Sequence, residues 1–140
     1  MVDKAGPTNS AMAIAASALR AQQSRMRVIA ENIANADSTA TTAGGTPYTR
    51  QVPVFQPQDV EPGSTGVKMA GVRADPSAFR SEYNPGHPAA DAKGYVQLPN
   101  VDPLVEALDM KEAQRAYDAN LNVIETARSM QMRLLDVLKK

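Results

Sequence analysis

The segment EYNPGHPAADAKGY, residues 82–95, holds the only histidine in the chain. His87 lies between Pro85-Gly86 and Pro88, with Glu82 and Asp91 on either side in sequence. An imidazole beside a carboxylate is the equipment of general acid–base catalysis, and further nitrogen or sulfur donors would make it a metal centre. The chain offers no second histidine and no cysteine, so a histidine- or thiolate-based metal site cannot be completed within one subunit. Two acids nine positions apart in a loop carry no spacing specific to catalysis. Pro85-Gly86 reads as a turn, and Pro88 holds His87 out of the α region. Pro85, Gly86, His87 and Pro88 are therefore expected to form a stiff joint or to touch a neighbouring subunit. The hydroxyls of DSTATT, residues 37–42, read as a solvated turn, and Gly44-Gly45 lacks the Gly-x-x-x-x-Gly-Lys pattern of a phosphate loop. No cofactor motif is found, so no cofactor is expected.

The elements that would position such residues fall into three zones. Residues 37–100 contain 8 of the 10 prolines and 7 of the 8 glycines, whereas residues 10–36 and 104–140 contain none. Because proline and glycine break helices, the plan is helix, irregular insert, helix. Met12, Leu19, Met26 and Ile33 recur every seven residues, with Ala15, Gln22 and Ile29 between them, which is the stripe of a coiled-coil seam. Ser10 is expected as the N-cap of this first helix. Asp102 and Pro103 supply the cap and first residue of the last helix. Its stripe runs through Met110, Ala113, Tyr117, Leu121, Ile124, Ala127, Gln131, Leu135 and Leu138. Within the insert, YTRQVPVF, GVKMAGVRAD and GYVQL are short strand candidates, with Pro53 marking an edge. GSTG, residues 63–66, is expected to be a loop or hairpin tip.

The fold class is thus mainly α with a small β-rich insert. The long N- and C-terminal helices are expected to pair as an antiparallel coiled-coil-like unit. The boundaries are an N-terminal helix over residues 1–36, a Pro/Gly-rich module over 37–100 and a C-terminal helix over 101–140. Large apolar side chains are scarce: tryptophan is absent, phenylalanine numbers 2, and alanine makes up much of the 43% hydrophobic fraction. Such a chain can make long helices but not a thick core, since burial yields only about 25 cal/mol per Å². Periodicity alone leaves open whether the stripes close on each other or form a seam between subunits. The formal net charge is zero, so nothing draws the chain to nucleic acid or an anionic membrane. No run reaches the ~18 apolar residues of a membrane span. The alanine-rich N-terminus, soon followed by Arg20 and Gln22, does not read as a cleaved signal peptide.

Three stretches carry a more specific signal: the N-terminus, LRAQQSRMRVIAENIANADSTATTAGGTPYTRQ at residues 19–51, and EALDMKEAQRAYDANLNVIETARSM at residues 106–130. In this order they resemble the axial rod and hook proteins of the bacterial flagellum. The rod/hook signature, Ala-Asn-Asn-hydrophobic-Ala-Asn, reads here Ala30-Glu31-Asn32-Ile33-Ala34-Asn35, with Glu31 in place of the usual first asparagine. The EYNPGHPAADAKGYVQLPNV stretch resembles the proximal-rod branch of that family. The resemblance implies a structural subunit of the basal-body proximal rod and no catalysis. It implies export through the flagellar type III apparatus without a cleaved signal peptide, and helical assembly with copies of itself and other rod proteins in the periplasm. It also implies that the terminal helices form an inner layer carrying torque. Leu19, Met26, Asn32, Ile33, Asn35, Tyr117, Leu121, Ile124, Leu135 and Leu138 are then expected at subunit interfaces. The competing readings are a self-contained helical adaptor and a small enzyme using His87 and Asp91.

Overall fold

Pro7 has no N–H to satisfy, so it opens a helix without loss, and the Gly6 carbonyl accepts from Asn9 N at 2.9 Å. The first helix, α1, accordingly runs Pro7–Ala34, four residues earlier than a Ser10 cap would place it. Ser10 is already helical, and its hydroxyl donates instead to Glu61 Oε2 at 3.0 Å. A computed structural model of the chain describes residues 6–140. After α1 come strands β1 (Gln51–Glu61), β2 (Ser64–Ala74), β3 (Arg80–Tyr83) and β4 (Tyr95–Leu98), and the helix α2 (Pro103–Leu138). The last helix begins as its sequence dictates: Leu104 N donates to Asp102 Oδ1 at 2.9 Å, and Pro103 is its first residue. At 36 residues it is about 54 Å long. β1 pairs with β2, and β3 with β4, in two separate two-stranded sheets. The β1–β2 connection is Pro62-Gly63, where Gly63 has φ +79°, the left-handed value that a type II turn requires after proline. Of the two expectations for residues 63–66, a loop or a hairpin tip, the second holds: Gly63 completes a tight turn and strand follows at once from Ser64. β3 was not foreseen, because Arg80–Tyr83 is exposed throughout and has no apolar alternation to mark it.

The chain divides into two compact units, each built from both ends and the insert. The first comprises the described residues up to Met26, the hairpin tip Val54–Gly71, and Glu112–Lys140. In it the α2 partner moves from Gln131 to Glu112 as α1 runs from Asn9 to Arg25, so the helices are antiparallel. Their buried seam is Ala15, Ala21, Ala113 and Ala127, which lets the two backbones approach closely but buries little surface. Ser17, 1% exposed, straps the hairpin to α1. Its hydroxyl donates to the Ile14 carbonyl at 2.6 Å and accepts from Val67 N at 3.1 Å. Glycine at position 66 makes this approach possible, since a Cβ there would collide with Ser17 Oγ and lie 2.8 Å from Val60 Cγ1.

The second unit comprises Arg27–Pro53 and Val72–Lys111. Its apolar centre is Val28, Ile29, Ala36, Ala89, Val96 and Val101, all buried. The carbonyls at the end of α1 are satisfied locally: Glu31 O accepts from Asn35 Nδ2 at 2.8 Å, and Asn35 O from the Ser38 hydroxyl at 2.9 Å. β3 and β4 are antiparallel in the register Arg80↔Leu98 through Tyr83↔Tyr95, and the last pair stack edge to face at 5.2 Å. Arg80 ties this hairpin down by donating to the carbonyls of Ala36 (2.9 Å) and Pro99 (3.2 Å).

The strap predicts that Gly66→Ala destabilises the protein by about 1–3 kcal/mol through overpacking. Urea denaturation measures this. Unchanged stability would mean the hairpin moves freely off α1.

Candidate functional site

Four features could do work: the loop around His87, a buried polar cluster in the second unit, an open groove in the first, and the large apolar side chains left outside.

The His87 loop is closed by its own backbone. His87 N donates to Asn84 O at 3.1 Å, Ala90 N to His87 O at 3.0 Å, and Asn84 N to Gly94 O at 2.9 Å. The imidazole Nδ1 accepts from Ala89 N at 3.0 Å, so that nitrogen is occupied by the turn. Asp91 does the same kind of work, its Oδ1 accepting from Lys93 N at 2.9 Å and Tyr95 N at 3.0 Å. Glu82 stands exposed on β3, across from Val96. Among the described residues, no group of three or more histidine or acidic side chains is placed to hold a metal ion.

The polar cluster centres on Asn32, 1% exposed, and Glu106, 0% exposed. Asn32 Nδ2 donates to the Gln51 carbonyl at 2.9 Å and to Glu106 Oε2 at 3.4 Å. Its Oδ1 accepts from Gln51 N at 2.9 Å and from the Tyr48 hydroxyl at 2.8 Å. All four hydrogen-bonding positions of the amide are thus used within its own chain. Glu106 also accepts from Arg50 Nε, and the same guanidinium reaches Asp75 Oδ2 at 3.2 Å and Asp109 Oδ2 at 3.5 Å. Asn100 closes the arrangement, accepting from Arg50 N at 2.8 Å and donating to Asp75 O at 3.1 Å. Burial works against the Arg50 charge, but hydrogen bonding and attraction from Glu106, then Asp75, outweigh it and hold its pKa above the ordinary value. Burial, with the negative charges of Glu31 and Glu106, raises the Tyr48 phenol. Hydrogen bonds from the backbone and then the side chain of Ser77 lower the Asp75 carboxyl, against a smaller opposing effect of burial and with help from Arg50.

Of the other residues expected at interfaces, Leu19, Met26, Asn35, Tyr117 and Ile124 are half-buried. Ile33 and Leu121 are each 38% exposed, Leu135 57% and Leu138 75%. Sequence reading did not single out Leu104, Leu108, Leu134 or Val137, all of which are also exposed. They lie off the strict stripe, and a wider apolar face on α2 was the available signal. In the first unit, a groove of about 450 Å³ runs between the start of α1 (Pro7, Thr8, Ala11) and α2 (Val123, Ala127, Met130), so the seam is not closed there. No described helix is long and apolar enough to cross a membrane.

Comparison with known proteins bears on these features. The family described as "Flagella basal body rod protein" matches residues 12–40, and "Flagellar basal body rod FlgEFG protein C-terminal" matches residues 92–137. The chain is 45% identical over 134 residues to the "Flagellar basal-body rod protein FlgC" of Agrobacterium fabrum, covering 95% of this chain and 96% of that one. It is 45% identical over 124 residues to the protein of the same name from Salmonella typhimurium, covering 87% and 91%. To that of Aquifex aeolicus it is 37% identical over 132 residues, covering 93% and 96%.

The lowered Asp75 pKa has a sign that can be checked. Its stabilising contribution is complete above the ordinary carboxyl value of 3.8 and is lost as pH falls through the folded-state value below it. Asp75→Asn is expected to lower stability near neutral pH and to flatten the loss of stability below about pH 4. Urea melts across that range test this. Identical acid-side slopes in the two chains would exclude Asp75 as a contributor.

Proposed function

Because the chain belongs to the FlgC family of flagellar basal-body rod proteins, we propose that it is a structural subunit of the proximal rod, polymerising helically through its terminal helices. It carries out no catalysis; its work is to transmit torque along the rod across the periplasm. Its partners on this reading are copies of itself and other rod proteins, and it reaches its place through the flagellar type III export apparatus without a cleaved signal peptide. A cysteine-free chain with a thin core supports passage through a narrow conduit in unfolded form.

The observation that carries the reading is the inversion at the end of α2. Leu134, Leu135, Val137 and Leu138 are 57–75% exposed, whereas the seam beneath is alanine. Exposed apolar residues standing singly need no explanation, but a run of them along one helix end marks an interaction surface. Leu135 and Leu138 are its centre. Leu121 is exposed in the same unit and the half-buried Leu19, Met26, Tyr117 and Ile124 border its seam, while in the second unit Ile33 is exposed and Asn35 half-buried. Asn32, saturated inside the second unit, supports the fold of that unit. The self-contained loop Pro85, Gly86, His87 and Pro88 is read as a rigid joint.

Leu135→Asp places a charge on this surface at a site 57% exposed, where folding of the isolated chain tolerates it. The variant is expected to be exported at ordinary levels yet to leave the rod incomplete and the cells non-motile. Export assays, basal-body isolation and swimming in soft agar read the three outcomes. A fully motile strain would remove Leu135 from the interface.

A further inference from the structure

We propose that Asn32 and Glu106 act as a register lock, selecting one among several heptad-related pairings of α1 and α2. The α1 stripe repeats Met12, Leu19, Met26 and Ile33 every seven residues, so it distinguishes poorly between one alignment and another shifted by seven. After such a shift Leu19 takes the place of Met12, and Met26 that of Leu19, with little change in size. Large knobs of unlike shape would normally forbid such a slip, but Met12, Leu19 and Met26 are alike in length and only half-buried.

Three side-chain pairs join α1 to α2 among the described residues: Asn9–Gln131, Arg25–Glu112 and Asn32–Glu106. The first is exposed, and in the second Glu112 is 71% exposed, so both can re-form with water or other partners at little loss. Only the third is buried on both sides. A shift of one heptad would set Asn32 opposite Ala113 and carry Glu106 past the end of α1. A shift the other way would set Asn32 opposite Pro99, ahead of α2. Either shift strips Asn32 or Glu106 of partners while leaving polar or charged groups in the interior, which is the costly case for buried groups. Tyr48, Gln51 and Arg50 reinforce the selection, because they hold the same two side chains from the segment that follows α1. A single buried polar position that fixes register in an otherwise uniform seam is the best-attested use of such groups. The lock is a property of the single chain, so it stands or falls independently of the assembly reading above.

The cysteine-free sequence makes the test direct. Cysteine pairs are introduced at Arg25 and Glu112 for the observed register, at Arg25 and Ala119 for one slip, and at Arg25 and Val105 for the other. A thiol crosslinker shorter than the ~10 Å spanned by seven helical residues distinguishes them. Reactions are run at high dilution and read by mass spectrometry of the monomer band. With Asn32 and Glu106 in place, the observed pair should crosslink more than about a hundredfold in preference to either slipped pair. In the Asn32→Leu, Glu106→Leu background, slipped products should rise to within about tenfold of the observed pair. Crosslinking that stays confined to the observed pair would overturn the proposal. So would loss of every crosslink, since it would show that the two residues hold the fold together and do not choose among alignments.

Discussion

Alanine can bring two helices together, but it cannot bury enough surface to hold them, and the rest of this molecule follows from that limit. Among the described residues, six of the ten buried apolar side chains are alanine, four of them along the seam, so the seam supplies close approach without much transfer of apolar surface out of water. Outside the seam, Leu134, Leu135, Val137 and Leu138 are roughly two-thirds exposed. Full burial of a large apolar side chain contributes about 1.5–3 kcal/mol, so covering these four is worth about 4–8 kcal/mol per subunit. That is comparable to the whole stability of an ordinary small domain. A chain built this way holds a large part of its favourable free energy in reserve for association.

The second unit solves the same shortage differently. Its fixed points are polar: a saturated asparagine, a buried glutamate, and an arginine shared among three carboxylates. One guanidinium facing Glu106, Asp75 and Asp109 is stable only because the two latter acids remain partly solvated, with side-chain exposures of 22% and 35%. Buried charge of this kind is a weak source of net stability, and its best-attested use is to fix one arrangement among alternatives. On the proposed reading the two units divide the labour between definition of the fold and availability for partners. His87, the one residue that suggested chemistry, is absorbed into the backbone bonding of a turn.

Much of this was legible in the sequence for physical reasons. The gap in proline and glycine marks both helices, and Asp102-Pro103 marks the start of α2 almost to the residue, since cap chemistry is local. Ser10 misled because a good capping residue stands one turn inside a start already made by Gly6-Pro7. β3 was illegible because RSEY is exposed on both faces, and its pairing with YVQL depends on residues far along the chain. Asn32 is expected at a subunit interface from the sequence because it lies in the rod/hook signature, next to Ile33 near the helix end. Nothing local shows that Tyr48, Gln51 and Glu106 converge on it. Glu106 likewise reads as an acid complementing the helix N-terminus, and its pairing with Arg50, 56 residues away in sequence, needs the three-dimensional structure.

The central claim is that the first unit is completed by neighbours and the second by itself. Hydrogen exchange followed by mass spectrometry, on the purified monomer and on isolated basal bodies, tests it most directly. The account predicts rapid exchange over residues 7–20 and 122–138 in the monomer, slow exchange over the segments around Asn32, Tyr48 and Glu106, and protection of both sets in the rod. Equal, strong protection of the helix ends and the polar cluster in the dilute monomer would contradict it.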